Sequence, residues 1–171
     1  MNRENIDMNE HWSYAINGNW RANYYYEDLF YICSSSCTAG EREIINRNDH
    51  LIPLDIWKVL IIRCYDKLIK YADEQKSRLA YLVLGMFLME HGGKMTKEVK
   101  DKILKYSRWK YEKHQLKSKE EREFRKKYLF EFREKVINYV DGVQTKVTDG
   151  TLTEHRDQFG FLNLTYIDYK I

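Results

Sequence analysis

The segment EHGGK, residues 90–94, places a carboxylate, an imidazole, two glycines and an ammonium group side by side. A carboxylate and an imidazole together can supply the base and the acid for proton transfer near neutral pH. Adjacent residues on a helix point in different directions, so Glu90 and His91 do not face each other there. We predict that the segment is a corner between two helices, with His91 at the negative end of the helix dipole.

Three cysteines and five histidines are the side chains most suited to a transition metal. Cys33 and Cys37 are four residues apart and share a face if they are helical, so Cys64 and one histidine would complete four ligands. The chain has no CxxC or HExxH pattern, and its histidines are scattered singly. Cys33 and Cys64 also fall on apolar stripes, where free cysteine behaves as a small hydrophobic residue. We predict no metal and no other cofactor.

The run SSSC, residues 34–37, contains candidate nucleophiles. It lacks the glycines of a nucleophile elbow, and the chain contains no Gly-rich phosphate loop. Neither serine hydrolysis nor nucleotide binding is indicated. The sequence therefore predicts a protein that is not an enzyme.

A basic block covers residues 94–140, which carry 16 Lys and Arg against 8 Asp and Glu, while the rest of the chain carries 13 against 18. Its stretch 102–127 interleaves cations, which attract phosphates, with aromatic rings, which stack on unpaired bases. Glu–Lys and Glu–Arg spacings typical of a solvated helix, and a pI near 8.6, favour an ordinary surface. The alternative function is nucleic-acid binding through Lys105, Arg108, Lys110, Lys113, Arg125 and Lys126.

Four tryptophans and fourteen tyrosines exceed what a small helical core needs to bury. Some of these rings must be exposed, and exposed Tyr, Trp and Arg are favoured at the centres of protein interfaces. The leading prediction is therefore a surface that binds another protein. Its contact residues are predicted to be Trp20, Tyr24, Tyr25, Arg108, Trp109 and Tyr111.

The composition predicts a single helical domain. The 171 residues are 43% apolar and include one proline and eight glycines, which favours long helices over a sandwich of many turns. The first ten residues lack the apolar core of a signal peptide, and no apolar run is long enough to span a membrane. With an odd number of cysteines, these features predict a cytoplasmic protein that is not embedded in a membrane.

Apolar residues recur at three- and four-residue intervals in five segments, which predicts helices at 22–37, 54–72, 76–91, 97–113 and 118–140. The third helix is apolar nearly all round and should lie in the middle of a bundle. The fifth is predicted to bury Phe124, Tyr128, Phe132, Val136 and Tyr139. Thr96 is a candidate N-cap, and Ser118 with Glu121 forms a capping box. Residues 39–53 contain an NRND turn cluster and are assigned no helix.

After Asp141-Gly142 the pattern changes. A hairpin is predicted around Asp149-Gly150, and the alternation in GFLNLTYIDYKI is typical of a strand. The predicted fold is mainly α, a bundle of four to five helices with a short C-terminal β-hairpin or strand appendage. The helical domain is assigned to residues 1–142, and the appendage to residues 143–171, packed on the same domain.

The order of features in residues 12–140 resembles a known family. Near the N-terminus the matching residues are Trp12, Tyr14, Ile16, Asn19 and Ala22. The segment LGMFLMEHGGKMTKEVKDKIL and the Lys/Arg-rich helix after it extend the likeness. The chain thus resembles an uncharacterised family of small bacterial helical proteins, a domain of unknown function whose members open with a Trp-Gly-x-Gly…Asn-Asp segment. Ser13 and Ala15 replace its glycines, and Trp20 and Tyr24 its acidic pair.

Some relatives in such families are presumed immunity proteins beside bacterial toxins, and the resemblance implies that class of function. The combined prediction is a non-catalytic protein-binding module, an immunity or defence-related inhibitor that covers the surface of a toxin or defence component. The alternative is a nucleic-acid-binding protein that uses the segment 102–127.

Overall fold

The computed structural model describes residues 20–147 and residue 171. This part of the chain forms six α-helices and one 3-10 turn. They are α1 (Trp20–Ser34), α2 (Ala39–Arg47), α3 (Leu54–Glu74), α4 (Arg78–Glu90), α5 (Lys97–Tyr106), the turn Trp109–Tyr111, and α6 (Lys119–Asn138). The mainly α class is confirmed. The predicted hairpin and strand fall on residues 148–170, outside the described residues, and residues 143–147 contain no strand.

Helix α4 lies in the middle of the bundle. Every residue from Arg78 to Met89 is buried, and the helix packs against α1, α3 and α5. Burial of each large apolar side chain contributes roughly 1.5–3 kcal/mol, so a helix without a polar face is stable only when it is covered on all sides. The predicted central position of this helix is confirmed.

Helix α2 was not predicted. It begins with a capping box in which Thr38 Oγ1 accepts from the Glu41 amide at 3.2 Å and Glu41 Oε2 accepts from the Thr38 amide at 2.8 Å. No residue of α2 is buried, and an ion pair of 2.8 Å between Glu41 and Arg63 connects it to α3. The Thr-x-x-Glu signal is present in the sequence, so the assignment of a loop to this segment was wrong.

Helix α5 is shorter than its predicted span of 97–113 and ends at Tyr106. The Arg133 guanidinium donates to the Leu104 carbonyl and, at 3.1 Å, to Ser107 Oγ. Arg133 of α6 thus donates a hydrogen bond to a carbonyl in the last turn of α5, where carbonyls have no acceptor role within their own helix. The chain then leaves the helix and runs through the 3-10 turn to α6.

The first half of α6 buries different residues from those predicted. Phe132 and Val136 are buried as predicted, but Phe124 and Tyr128 are only half-buried. The remaining buried positions are Arg125 and Leu129, each one residue further along. In this half of the helix Arg125 points inward and pairs with Glu112.

The EHGGK segment is a corner, as predicted. Gly92 has φ +61°, the left-handed conformation that commonly ends a helix. The hydroxyl of Tyr139 lies 3.2 Å from the Leu88 carbonyl and 2.6 Å from that of Gly93, and the Thr145 amide donates to the Met89 carbonyl at 2.8 Å. The chain that follows α6 therefore satisfies the carbonyls left at the end of α4.

Replacing Gly93 by alanine is expected to destabilise the fold by about 1–3 kcal/mol, because a Cβ there would lie 2.8 Å from Ile61 Cδ1 and 3.1 Å from Leu88 Cδ2. Urea unfolding measures the change. Gly40→Ala is the matched control, since its Cβ would meet no atom within 4 Å. Within α2 that change should be neutral or stabilising by up to about 1 kcal/mol. Equal stabilities for the two variants would contradict the close packing of this corner.

Candidate functional site

A groove of about 550 Å³ lies between α6 and the segment that follows α5. Its charged lining consists of Arg108, Lys126, Lys127, Arg133 and Glu123. Its apolar lining consists of Trp109, Leu129 and Phe130. The volume falls in the range of sites that hold a small molecule or part of a partner chain. Four cations against one carboxylate give this groove a positive potential.

A buried ionic cluster holds one wall of the groove. Glu112 follows the 3-10 turn and has no exposed surface. Its carboxylate accepts two hydrogen bonds from Arg125, of 2.6 Å from Nε and 3.1 Å from Nη2, and lies 3.7 Å from Arg78 Nη1. These contacts connect the segment after α5 to both α6 and α4, so they position Arg108 and Trp109.

Arg133 supports the same wall from α6. Its bonds to the Leu104 carbonyl and Ser107 Oγ fix the last turn of α5 immediately before Arg108. Burial, and next the charge of Arg108, lowers the pKa of the Arg133 guanidinium. Arg108 and Arg133 thus both place positive charge at the groove, which favours the binding of an anion there.

Two aromatic rings supply the apolar part of the groove. Trp109 is half-buried and packs against the core, whereas the Phe130 side chain is 65% exposed. Leu129 is buried beside them. A site with exposed rings between cations can bind a ligand that combines negative charge with apolar surface.

The predicted contact residues of the basic block are partly brought together. Arg108, Trp109 and Lys126 line the groove. Tyr111 is half-buried, with the Arg78 guanidinium and the Lys110 ammonium each 5.0 Å from its ring centre. The remaining predicted cations of this block, Lys105, Lys110 and Lys113, are exposed outside the groove.

The predicted contact residues of α1 belong to another part of the bundle. Helix α1 packs against α3 and α4, whereas the groove is built from α6 and the segment after α5. Tyr25 is only 9% exposed and packs edge-on against Tyr71, so its prediction as a contact residue is wrong. Tyr24 is half-buried. Trp20 begins α1, but its side chain lies outside the described part of the structure.

Arg125 is also removed from the predicted nucleic-acid surface. Its side chain is 1% exposed, and its guanidinium forms a bidentate pair with Glu112. A cation held in this way cannot reach a phosphate outside the protein. The basic face of α6 is therefore formed by Lys126 and its neighbours and does not include Arg125.

Sequence reasoning missed five groove residues: Glu123, Lys127, Leu129, Phe130 and Arg133. A signal for some of them existed, because Lys126, Phe130 and Arg133 recur at intervals of four and three residues on one face of α6. The stripe predicted from Phe124 and Tyr128 obscured that face. An exposed phenylalanine is recognised only once the buried side of the helix is known.

A second polar cluster lies at the EHGGK corner. The Tyr26 hydroxyl donates to Glu90 Oε2 at 3.1 Å and lies 2.9 Å from His91 Nε2, and the His91 ring is stacked on Trp57 at 4.0 Å. Burial raises the pKa of Tyr26 and lowers the pKa of His91 to about 4. His91 is the C-cap of α4, at the predicted end of the helix dipole, and is neutral at pH 7. The cluster connects α1 to the end of α4.

The three cysteines are free thiols. Cys33 and Cys64 are buried, and burial, followed by the proximity of Cys64, raises the pKa of Cys33 to about 12. Over residues 20–147, no three His, Cys, Asp or Glu side chains converge as metal ligands would. The absence of a metal from the whole protein stays a prediction.

The comparisons with known proteins add no relative. A scan against family models, a search of curated proteins and a search of solved structures each found no match to the chain. Within the described helices, none combines the length and apolar character needed to cross a bilayer. The function is therefore argued from the groove and from the resemblance stated above.

Proposed function

We propose that the protein is a non-catalytic binding module whose basic, aromatic groove covers an acidic surface of a partner protein. The observation that carries the proposal is the joint placement of Arg108, Trp109 and Phe130 in one groove that contains four cations. Arginine, tryptophan and other aromatic residues account for much of the binding energy at protein interfaces. The ionic cluster of Glu112 pre-organises this wall, which reduces the ordering cost of binding.

A protein partner is favoured over nucleic acid by the charges that remain accessible. Arg125 is neutralised by Glu112, and Arg122 donates from Nη1 to the carbonyls of Leu116 and Lys117, both at 2.9 Å. Glu123 lies in the groove itself, where it opposes any anion, and it opposes a continuous phosphate chain more than a protein segment whose carboxylates are spaced apart. Nucleic-acid binding through the exposed lysines of the segment 102–127 is retained as the alternative.

The biological role in the proposal comes from the family resemblance. Some similar small helical proteins are presumed immunity proteins, so we propose a toxin or defence component as the partner and inhibition as the consequence of covering it. The proposed location is the cytoplasm, where the three cysteines stay reduced. Inhibition by simple coverage requires no catalytic group on this chain.

The proposal is tested with the full-length protein immobilised as bait in a lysate of its own host, followed by identification of retained proteins by mass spectrometry. The retained protein is then purified and its affinity measured. The double variant Arg108→Glu, Phe130→Ser is expected to weaken binding at least about ten-fold, since it reverses one charge and removes one ring from the groove.

Lys105→Glu with Lys113→Glu is the matched control, because both lysines are exposed outside the groove. This pair should change affinity by less than about three-fold. If the partner is a toxin, the wild-type protein should suppress its activity at equimolar concentration, and the groove variant should not. A partner that binds both double variants equally would refute a function centred on the groove.

A further inference from the structure

Helix α6 places an exposed ring between cations in the groove, with Glu123 three residues before Lys126. Lys126, Phe130 and Arg133 stand at intervals of four and three residues and line the same groove. They therefore lie along one side of the helix, over about 10 Å of its axis at the usual rise per residue. A cation thus stands on each side of an exposed ring.

The opposite wall repeats this combination. Arg108 and Trp109 are adjacent in sequence and both line the groove. Because all of these side chains line one groove, a large apolar side chain that contacts Trp109 and Phe130 has cations nearby. The chemistry of the lining therefore specifies both an apolar centre and negative flanks in whatever binds there.

Repulsion inside the groove strengthens the requirement for negative charge. Arg108 and Arg133 are close enough for the charge of Arg108 to lower the pKa of Arg133. A carboxylate bound in the groove would offset this positive charge and accept charge-assisted hydrogen bonds from Arg108. Arginine matches the planar carboxylate group especially well.

We propose that the groove takes an acidic segment of a partner protein in which carboxylates flank a large apolar side chain. The carboxylates pair with Arg108 and with Lys126 or Arg133, and the apolar side chain packs between Trp109 and Phe130. This inference rests on the protein-binding function proposed above and names the class of segment that the site recognises.

The test uses a short labelled synthetic peptide with Asp and Glu on both sides of a central Phe, titrated with the full-length protein. Two matched peptides are titrated alongside, one with Asn and Gln in place of the acids and one with Ser in place of Phe. Each is expected to bind at least about ten-fold more weakly than the acidic peptide with Phe. Equal binding of the neutral peptide would overturn the inference.

Variants of the protein locate the binding. Arg108→Gln with Lys126→Gln should weaken the acidic peptide about ten-fold, whereas Lys105→Gln with Lys113→Gln should change it less than about two-fold. Circular dichroism checks that both variants are folded. Oligothymidylate and unlabelled peptide are also compared as competitors for the wild-type groove. If oligothymidylate displaces the labelled peptide at the lower concentration, the groove is a nucleic-acid site and the inference is refuted.

The two proposals fail in different ways. If a purified partner depends on Arg108 and Phe130 but the acidic peptide neither binds nor competes with it, the class of segment is wrong and the protein-binding function stands. If the peptide binds in the groove but the partner ignores groove substitutions, the proposed function is wrong. If the protein self-associates and the acidic peptide abolishes this self-association, the occupant of the groove is a second copy of the chain and the proposed partner is wrong.

Discussion

Replacement of Glu112 by glutamine is expected to lower the free energy of unfolding by about 3–5 kcal/mol. Glu112 has no exposed surface, and its carboxylate contacts Arg125 at 2.6 Å and Arg78 at 3.7 Å. Both arginines are buried. Glutamine keeps the shape of the side chain but removes the charge that compensates two guanidiniums inside the protein. Urea or thermal unfolding at neutral pH measures the loss.

Two further variants distinguish the effect of the buried cluster on stability from the effect of removing any single charge. Glu98→Gln removes an exposed ion pair with Lys102, since Glu98 is 81% exposed, and should change stability by less than about 1 kcal/mol. Glu112→Leu combined with Arg125→Met removes both members of the closest pair and should recover part of the stability lost in Glu112→Gln. If Glu112→Gln costs no more than Glu98→Gln, the buried cluster does not hold the groove wall.

Protonation of His91 is expected to destabilise the protein by about 2–3 kcal/mol as the pH falls from 6.5 to 4. Burial lowers the pKa of His91 from its ordinary value of 6.5 to about 4 in the folded state. Within this interval the unfolded chain binds a proton that the folded chain does not. The contribution of neutral His91 is therefore complete above pH 6.5 and is lost as the pH falls through that window.

The comparison that reveals this effect is His91→Gln against the wild type, with the free energy of unfolding measured at several pH values between 7.5 and 4. The wild type should lose about 2–3 kcal/mol more than the variant across the interval. The contribution of Glu41 to stability is lost in a different pH range. Because Arg63 and Thr38 lower the pKa of its carboxyl to about 2, its contribution is lost at a lower pH, between about 4.5 and 2. Parallel curves for the two proteins would show that His91 titrates normally.

Signals carried by neighbouring residues were interpreted correctly from the sequence. The Thr96 N-cap accepts from the Val99 amide at 3.4 Å, and the capping box of Ser118 and Glu121 is formed in both directions. The apolar composition of α4 predicted its central position, and the glycine pair predicted the corner after it. Helix α2 carries the same kind of cap signal and was recognisable in principle.

The groove could not be predicted from the sequence, because it depends on contacts between residues that the local periodicity does not connect. Lys126 and Arg125 are adjacent lysine and arginine residues of a basic run, yet one lines the groove and the other is buried against Glu112. The orientation of the first half of α6 decides which of them faces out. Alternative apolar stripes through Phe124 or through Leu129 fit the periodicity almost equally well, so periodicity could not choose between them.

The sequence by itself determined five of the six described helices, the caps at Thr96 and Ser118, the apolar character of α4 and the basic block, because each depends on residues close together in the chain. The tertiary structure decided the end of α5, the exposure of Phe130 and the burial of Arg125. These depend on partners from other elements: Arg133 on the last turn of α5, and Glu112 on Arg125, 13 positions away. A buried carboxylate orients α6, and that orientation brings Arg108, Trp109 and Phe130 into one groove.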